Sequence, residues 1–196
     1  MNRLPIAIAL FSLLFVLGCE VESPVREDVP ELITQVTLTF TPTDGEPLIV
    51  TATDPDGEGV QDVQVDGNIS LETMKTYTLT LSLTNGLAQP SDPEYDVTEE
   101  VEEEAHEHFF YFSWTNGVFS DPAGDGNIDN RAGAVNYEDE DVNGLPLGLA
   151  TVWTAGVPSS GEFRIVLKHQ PDLKTATSES TIGETDVDIT FPIKVE

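Results

Sequence analysis

The chain has 196 residues, with 36 acidic and 8 basic side chains and a formal net charge of −28 at pH 7. A field of that sign repels nucleic acid and anionic membrane surfaces and concentrates cations, so nucleic-acid binding is excluded as a function class. The single cysteine, Cys19, excludes a disulfide framework within the chain.

The N-terminus, "MNRLPIAIALFSLLFVLGC", places Arg3 beside the free amine and then an apolar run from Leu4 to Gly18. That run is shorter than the roughly 20 residues a spanning helix needs and reads as a secretory signal. It ends in Leu17, Gly18 and Cys19, which resemble a bacterial lipobox, and the resemblance implies cleavage before Cys19 and lipidation of that residue. Residues 1–18 are expected to be a lipoprotein signal peptide. Residues 19–31, with two prolines and a high density of acids, are expected to be a lipidated, flexible tether. A lipid at Cys19 would hold the mature chain outside the cytoplasm, on a membrane but not across it. The acids Glu20 and Glu22 favour the outer membrane or cell surface. Lipidation would also remove the only thiol, and with it thiolate metal sites and cysteine nucleophiles.

Residues 32–196 read as one domain. Short segments alternate apolar or β-branched residues with polar ones, and Gly, Asp, Asn and Pro fill the gaps. "ITQVTLTFTP" puts Val36, Leu38 and Phe40 on one face. "LIVTATD" and "VQDVQVDG" follow across acidic turns, and "TYTLTLSLTN" alternates from Tyr77 to Leu83. The spacing of Val97, Val101 and Ala105, with Asp96 or Thr98 as cap, predicts a short helix over 97–105. "HFFYFSW" has aromatic residues on both faces and predicts a deeply buried strand. "AVNYEDE", "LATVWTA", "GEFRIVLKH" and "VDITFPIKV" complete about nine strands, which suits an all-β, antiparallel, Ig-like β-sandwich. The sequence lacks the strand–helix alternation of a doubly wound sheet.

The chemistry-bearing residues cluster. "TEEVEEEAHEHFFYFSW" sets His106 and His108 among glutamates, and His169 closes the apolar face of "GEFRIVLKH". If residues 106–108 are extended, both imidazoles point the same way. Imidazole with carboxylate suits zinc or copper, so His106, His108 and His169, with Glu103, Glu104 and Glu107, are the candidate metal ligands. The alternative for each histidine is a partly buried, purely structural imidazole. The turns "DPDGEG", "DGNIDN" and "DEDVNG" put oxygen ligands at alternate positions, the spacing calcium loops use. Asp139, Asp141 and Asn143 are the best of these, although none has the glutamate of an EF-hand at position twelve, and such residues also make ordinary turns. Calcium therefore ranks below zinc or copper. No GxSxG, HExxH or phosphate loop is present, and no carboxylate pair stands out, so the chain reads as non-enzymatic. Trp114, Trp153 and Tyr111 would either stack on sugars or belong to the core, and the count of aromatics favours the core.

The segments "TEEVEEEAHEHFFYF", "DEDVNGLPLGL", "VLKHQPDLK" and "GETDVDITFPIKV" resemble a family of small acidic lipoproteins of Bacteroidota, over most of residues 31–195. Members of that family often accompany TonB-dependent outer-membrane receptors. By this association, and not by any assigned activity, the resemblance implies a part in nutrient or metal capture. It also draws His108, His169, Asp172, Glu184, Asp186 and the glutamate run together as ligand-type residues that distant strands could bring to one rim. The expected function is a membrane-anchored lipoprotein that binds zinc or copper for capture or delivery to an outer-membrane receptor. The alternatives are a surface interaction or adhesion module without metal, and a carbohydrate-binding module.

Overall fold

In a computed structural model, residues 31–55, 57 and 63–196 are described. The signal peptide, Cys19 and all of the tether except Glu31 lie outside them, as do Asp56 and Glu58 of the first acidic turn. Among the described residues, no helix is long and apolar enough to cross a membrane.

Strict alternation writes the first sheet. In β1 (Gln35–Pro42) and β5 (Thr76–Thr84), every second side chain is buried and the intervening threonines face outward. These two pair antiparallel from Gln35↔Thr84 to Pro42↔Tyr77. Around them lie β2 (Leu48–Thr53), β3 (Gln64–Asp66), β7 (Phe119–Asp121) and β8 (Ala150–Ala155), in the order β3-β2-β1-β5-β8-β7. The second sheet runs β4-β10-β9-β6, from β4 (Ile69–Leu71), β6 (His108–Trp114), β9 (Ser159–His169) and β10 (Glu184–Val195). All pairings are antiparallel except β4 with β10. Pro192, which cannot donate to a ladder, falls just before the stretch that β4 covers.

The two inner faces meet on an aromatic centre. Trp153 lies 4.6–5.5 Å from the ring centroids of Phe112, Trp114, Phe119 and Phe163. This is the all-β sandwich the alternation predicts. Trp114, Trp153 and Tyr111 are buried, so they offer no platform for a sugar.

The aromatic residues of β6 are buried on both faces, as their pattern predicts. Phe110, Phe112 and Trp114 enter the main core. Phe109 and Tyr111 form a second cluster with Ile128 and Val166, beneath long loops. The Arg131 guanidinium sits 4.2 Å above the Phe109 ring, and the Tyr111 hydroxyl donates to the Ser178 carbonyl.

Two expected elements differ. "AVNYEDE" is not a strand; it makes only isolated bridges, such as Tyr137↔Thr151. Its polar side chains replace a ladder: Tyr137 donates its hydroxyl proton to the Phe110 carbonyl, and Asp139 accepts from the Gly148 and Ala150 amides. The helix α1 spans Val97–Glu103, with Val97 and Val101 buried and the Asp96 side chain accepting from the Thr98 amide. It stops two residues short of Ala105, and residues 104–107 form a turn.

Candidate functional site: a buried His–carboxylate cluster at one rim

β6 and β9 pair with His108 directly opposite His169. Both follow the inward row of their strand, past Phe110 and Leu167, so both imidazoles lie inside the sandwich at its rim. Their rings stack at 4.6 Å with an interplanar angle of 8°. The neighbouring strand adds a carboxylate through an irregularity. The β9–β10 register shifts between Thr185 and Val187, leaving Asp186 as the extra residue. A bulge of this kind re-aims a side chain, and the Asp186 side chain is fully buried beside His108 instead of facing outward.

The fourth group comes from the other end of the chain. Glu31 precedes β1, and its carboxylate reaches Nε2 of His108 at 3.0 Å. The distance is that of an ion pair. Asp186 Oδ2 lies 4.0 Å from the same nitrogen. On the other side of the ring, Nδ1 lies 3.2 Å from the Glu104 carbonyl. A carbonyl can only accept, so Nδ1 carries the proton and Nε2 is the nitrogen presented to the two carboxylates. This is how a second partner orients a ligating histidine.

The electrostatics follow from burial. Burial opposes the charged form of His108, but Glu31, Asp186 and the Glu104 carbonyl outweigh it and raise its pKa. Glu31 is likewise desolvated, yet His108 holds its carboxyl below the ordinary value. Asp186 fares worse. Burial first, and then the facing Glu31 charge, push it up to about 6 despite the nearby imidazoles. Glu31 Oε2 and both Asp186 oxygens are buried without a hydrogen-bond donor.

A second group adjoins the first. His169 Nε2 lies 3.3 Å from Glu107 Oε2. One ligand atom each from Glu31, His108 and His169 lie within 4.8 Å of one another, and the same holds for Glu104, Glu107 and His169. Each of these groups can hold a metal ion. The turn after α1 builds the second: the Glu107 amide donates to the Glu104 carbonyl, and the Gln170 amide donates to the Glu107 carbonyl at 2.6 Å.

The sequence therefore selects His108, His169, Glu104 and Glu107 from its motifs and Asp186 through the family resemblance, and its other assignments fall elsewhere. His106 joins neither group, because it lies in the turn, where strand alternation does not operate. It is half-exposed, with its Nε2 3.3 Å from Glu107. Glu103 points to solvent at the end of α1, and Glu31 belongs to the domain and not to the tether. Asp172 and Glu184 are exposed and join neither group.

The turn "DEDVNG" closes on protein donors. Both Asp139 oxygens accept backbone amides. Asp141 Oδ1 accepts from the Asn143 and Leu145 amides, and Asp141 Oδ2 pairs with the buried Lys174 ammonium at 2.9 Å. Asn143 is exposed. In "DGNIDN", Asn127 is buried, accepting from the Phe112 amide and donating to the Tyr137 hydroxyl. No protein-family model matches the chain, and neither a curated protein nor a solved structure shows significant similarity to it.

Proposed function

We propose that the protein is a non-enzymatic, lipid-anchored extracytoplasmic protein that binds one divalent cation, zinc or copper before calcium, at the rim formed by Glu31, His108, His169 and Asp186. One observation carries this reading: the buried Nε2 of His108, its tautomer set by the Glu104 carbonyl, faces two buried carboxylates that have acceptor oxygens to spare. Two carboxylates and neutral imidazoles around a divalent ion sum to zero charge. Without the ion, the cluster must bind a proton or keep an uncompensated negative charge away from water. Two nitrogens and carboxylate oxygens match zinc and copper better than calcium, which takes six to eight oxygens.

The anchored location is supported by the leader ending in Cys19. Delivery of the ion to an outer-membrane receptor is supported by the family resemblance, and the net negative charge would concentrate cations at the surface. Native mass spectrometry tests the reading on the full chain in detergent, stripped with EDTA and then offered zinc, copper or calcium. One retained zinc or copper, with affinity at least tenfold weaker in His108→Ala, is the expected result. Retention unchanged in His108→Ala, or calcium alone retained, would overturn it. No retained ion would leave a metal-free interaction module.

A further inference from the structure

The two ligand groups are joined by a gradient of exposure. Side-chain exposure falls from 49% at His106 to 26% at Glu107, 7% at His169 and 0% at His108. Each group touches the next. His106 and His169 both lie 3.3 Å from Glu107, His169 stacks on His108, and His108 meets Glu31 at 3.0 Å. The series runs without a gap from solvent to the oxygens that lack donors.

The stacked rings add a constraint. An imidazole lone pair lies in the ring plane, and planes only 8° apart, stacked face to face, cannot both direct a lone pair at an ion between them. One ring must tilt before both can ligate the same ion. His169 is the free one to move, since Nδ1 of His108 is held by the Glu104 carbonyl. In its present pose Nε2 of His169 faces Glu107, so the ring already serves the outer group. The Gln170 amide bonded to the Glu107 carbonyl pins the backbone at this point and leaves the motion to the side chain.

We propose that the rim holds two successive cation positions that share His169: an outer one formed by Glu104, Glu107 and His169, and an inner one formed by Glu31, His108 and His169 beside Asp186, with His169 tilting to pass a divalent ion from the first to the second. This rests on the cation-binding reading above and adds the route and the second position. His106 marks the mouth of the route and need not ligate the ion at rest.

The test measures zinc uptake rate, release rate and equilibrium affinity of the EDTA-stripped full chain in detergent. Three variants are compared with the unaltered protein: Glu104→Gln/Glu107→Gln, the charge-matched control Glu102→Gln/Glu103→Gln, and His108→Ala. The outer double variant is expected to slow uptake and release together, each at least tenfold, with affinity held within about threefold, because removing a way-station changes rates and not the end states. The control removes the same charge from exposed helix positions and should change uptake by less than about twofold, which separates ligation from electrostatic steering. His108→Ala should lose tight binding and keep fast, weak binding at the outer position.

Uptake at the unaltered rate in Glu104→Gln/Glu107→Gln would overturn the outer position and leave the inner site standing. It would direct attention to the crevice of about 40 Å³ that Ile33, Val36, Val63 and Ile189 form beside Asp186. Loss of the final affinity in that variant would also overturn the inference, since the glutamates would then belong to a single site. Failure of the unaltered protein to bind zinc would remove the cation reading and the route with it.

Discussion

Replacing Asp186 by Asn separates what the cluster does for the fold from what it does for a metal. In the metal-free protein the Asp186 carboxyl is raised from 3.8 to about 6. A group whose pKa is raised on folding contributes its stability fully below the unfolded value and loses it as pH rises through the folded one. The metal-free protein should therefore lose stability from this group between about pH 4 and pH 7, where the buried carboxyl is forced to ionise. About two units at about 1.4 kcal/mol each give roughly 3 kcal/mol. The side chain is fully buried, so solvent screening removes little of this, and relaxation brings it to about 2–3 kcal/mol. Asn has the shape of the protonated acid and does not titrate, and it carries a similar unpaired-amide cost at every pH. Its stability relative to the unaltered protein should thus rise by about 2–3 kcal/mol from pH 4 to pH 8, equivalent to roughly 5–10 °C in a chain of this size. Urea denaturation of both proteins in EDTA, at several pH values, measures the difference directly. With saturating zinc the order should reverse, because the unaltered protein gains more from the ion. A difference between the two proteins that stays constant with pH in EDTA would refute the burial argument for Asp186.

Other substitutions probe neighbouring parts of the argument. His106→Ala should leave zinc affinity within about twofold, against at least tenfold weakening for His108→Ala, as isothermal titration would show. Lys174→Met removes the partner of a buried carboxylate. It should cost about 3 kcal/mol in urea unfolding, and calcium should not restore the loss, since backbone amides hold Asp141. Gly183, at φ 78° in the turn before β10, has no room for a side chain: a Cβ there would lie 2.1 Å from the His169 carbonyl. Gly183→Ala should destabilise the protein by roughly 1–3 kcal/mol and weaken zinc binding by displacing His169, seen in melts and titrations of one preparation.

The strands were legible because one face of each was written in Val, Ile, Leu and Phe and the other in Thr. In β5 the alternation from Tyr77 to Leu83 leaves no second register that keeps the core buried. The double burial of β6 was legible from its unbroken aromatic run. "AVNYEDE" misled because its alternation fits a strand, while the side chains of Asn136, Tyr137 and Asp139 in fact bond to backbone groups of other segments. Local pattern does not report such long-range partners. The site was half legible. His169 stood out as the end of an apolar row and His108 as one of a pair in the acidic run, and the structure stacks the two rings on each other. His106 was misplaced because the helix-to-strand junction, residues 104–107, determines which alternate position faces inward. Glu31 was hidden by composition, since it closes an acidic, proline-containing stretch. Asp186 depended on a bulge, and "ETDVDI" alternates as well without one.

Two buried aspartates in this protein, compared with each other, support the proposal that the rim is a binding site. Asp141 is desolvated, yet the Leu145 amide, the Lys174 ammonium and the Asn143 amide hold its carboxyl below the ordinary value. The chain supplies everything that charge needs. Asp186 is buried to a similar degree and receives no donor, although Lys168 on the adjoining β9 is also buried, since its ammonium is bonded to Thr185. Among the described residues, the other buried polar atoms without a partner include the Trp114 and Arg131 nitrogens, which are donors. Among the described residues, the buried carboxylate oxygens that lack both a hydrogen bond and a lysine are Glu31 Oε2 and the two Asp186 oxygens, all beside Nε2 of His108, which also has no hydrogen-bond partner. An excess of acceptors in one place is left unrelieved by the side chains around it, since none of them bonds to these oxygens. It can be relieved by a proton, as the raised Asp186 pKa reflects, or by a cation. A fold selected for stability alone would place Asn or Leu at position 186, which is the substitution the pH series above examines.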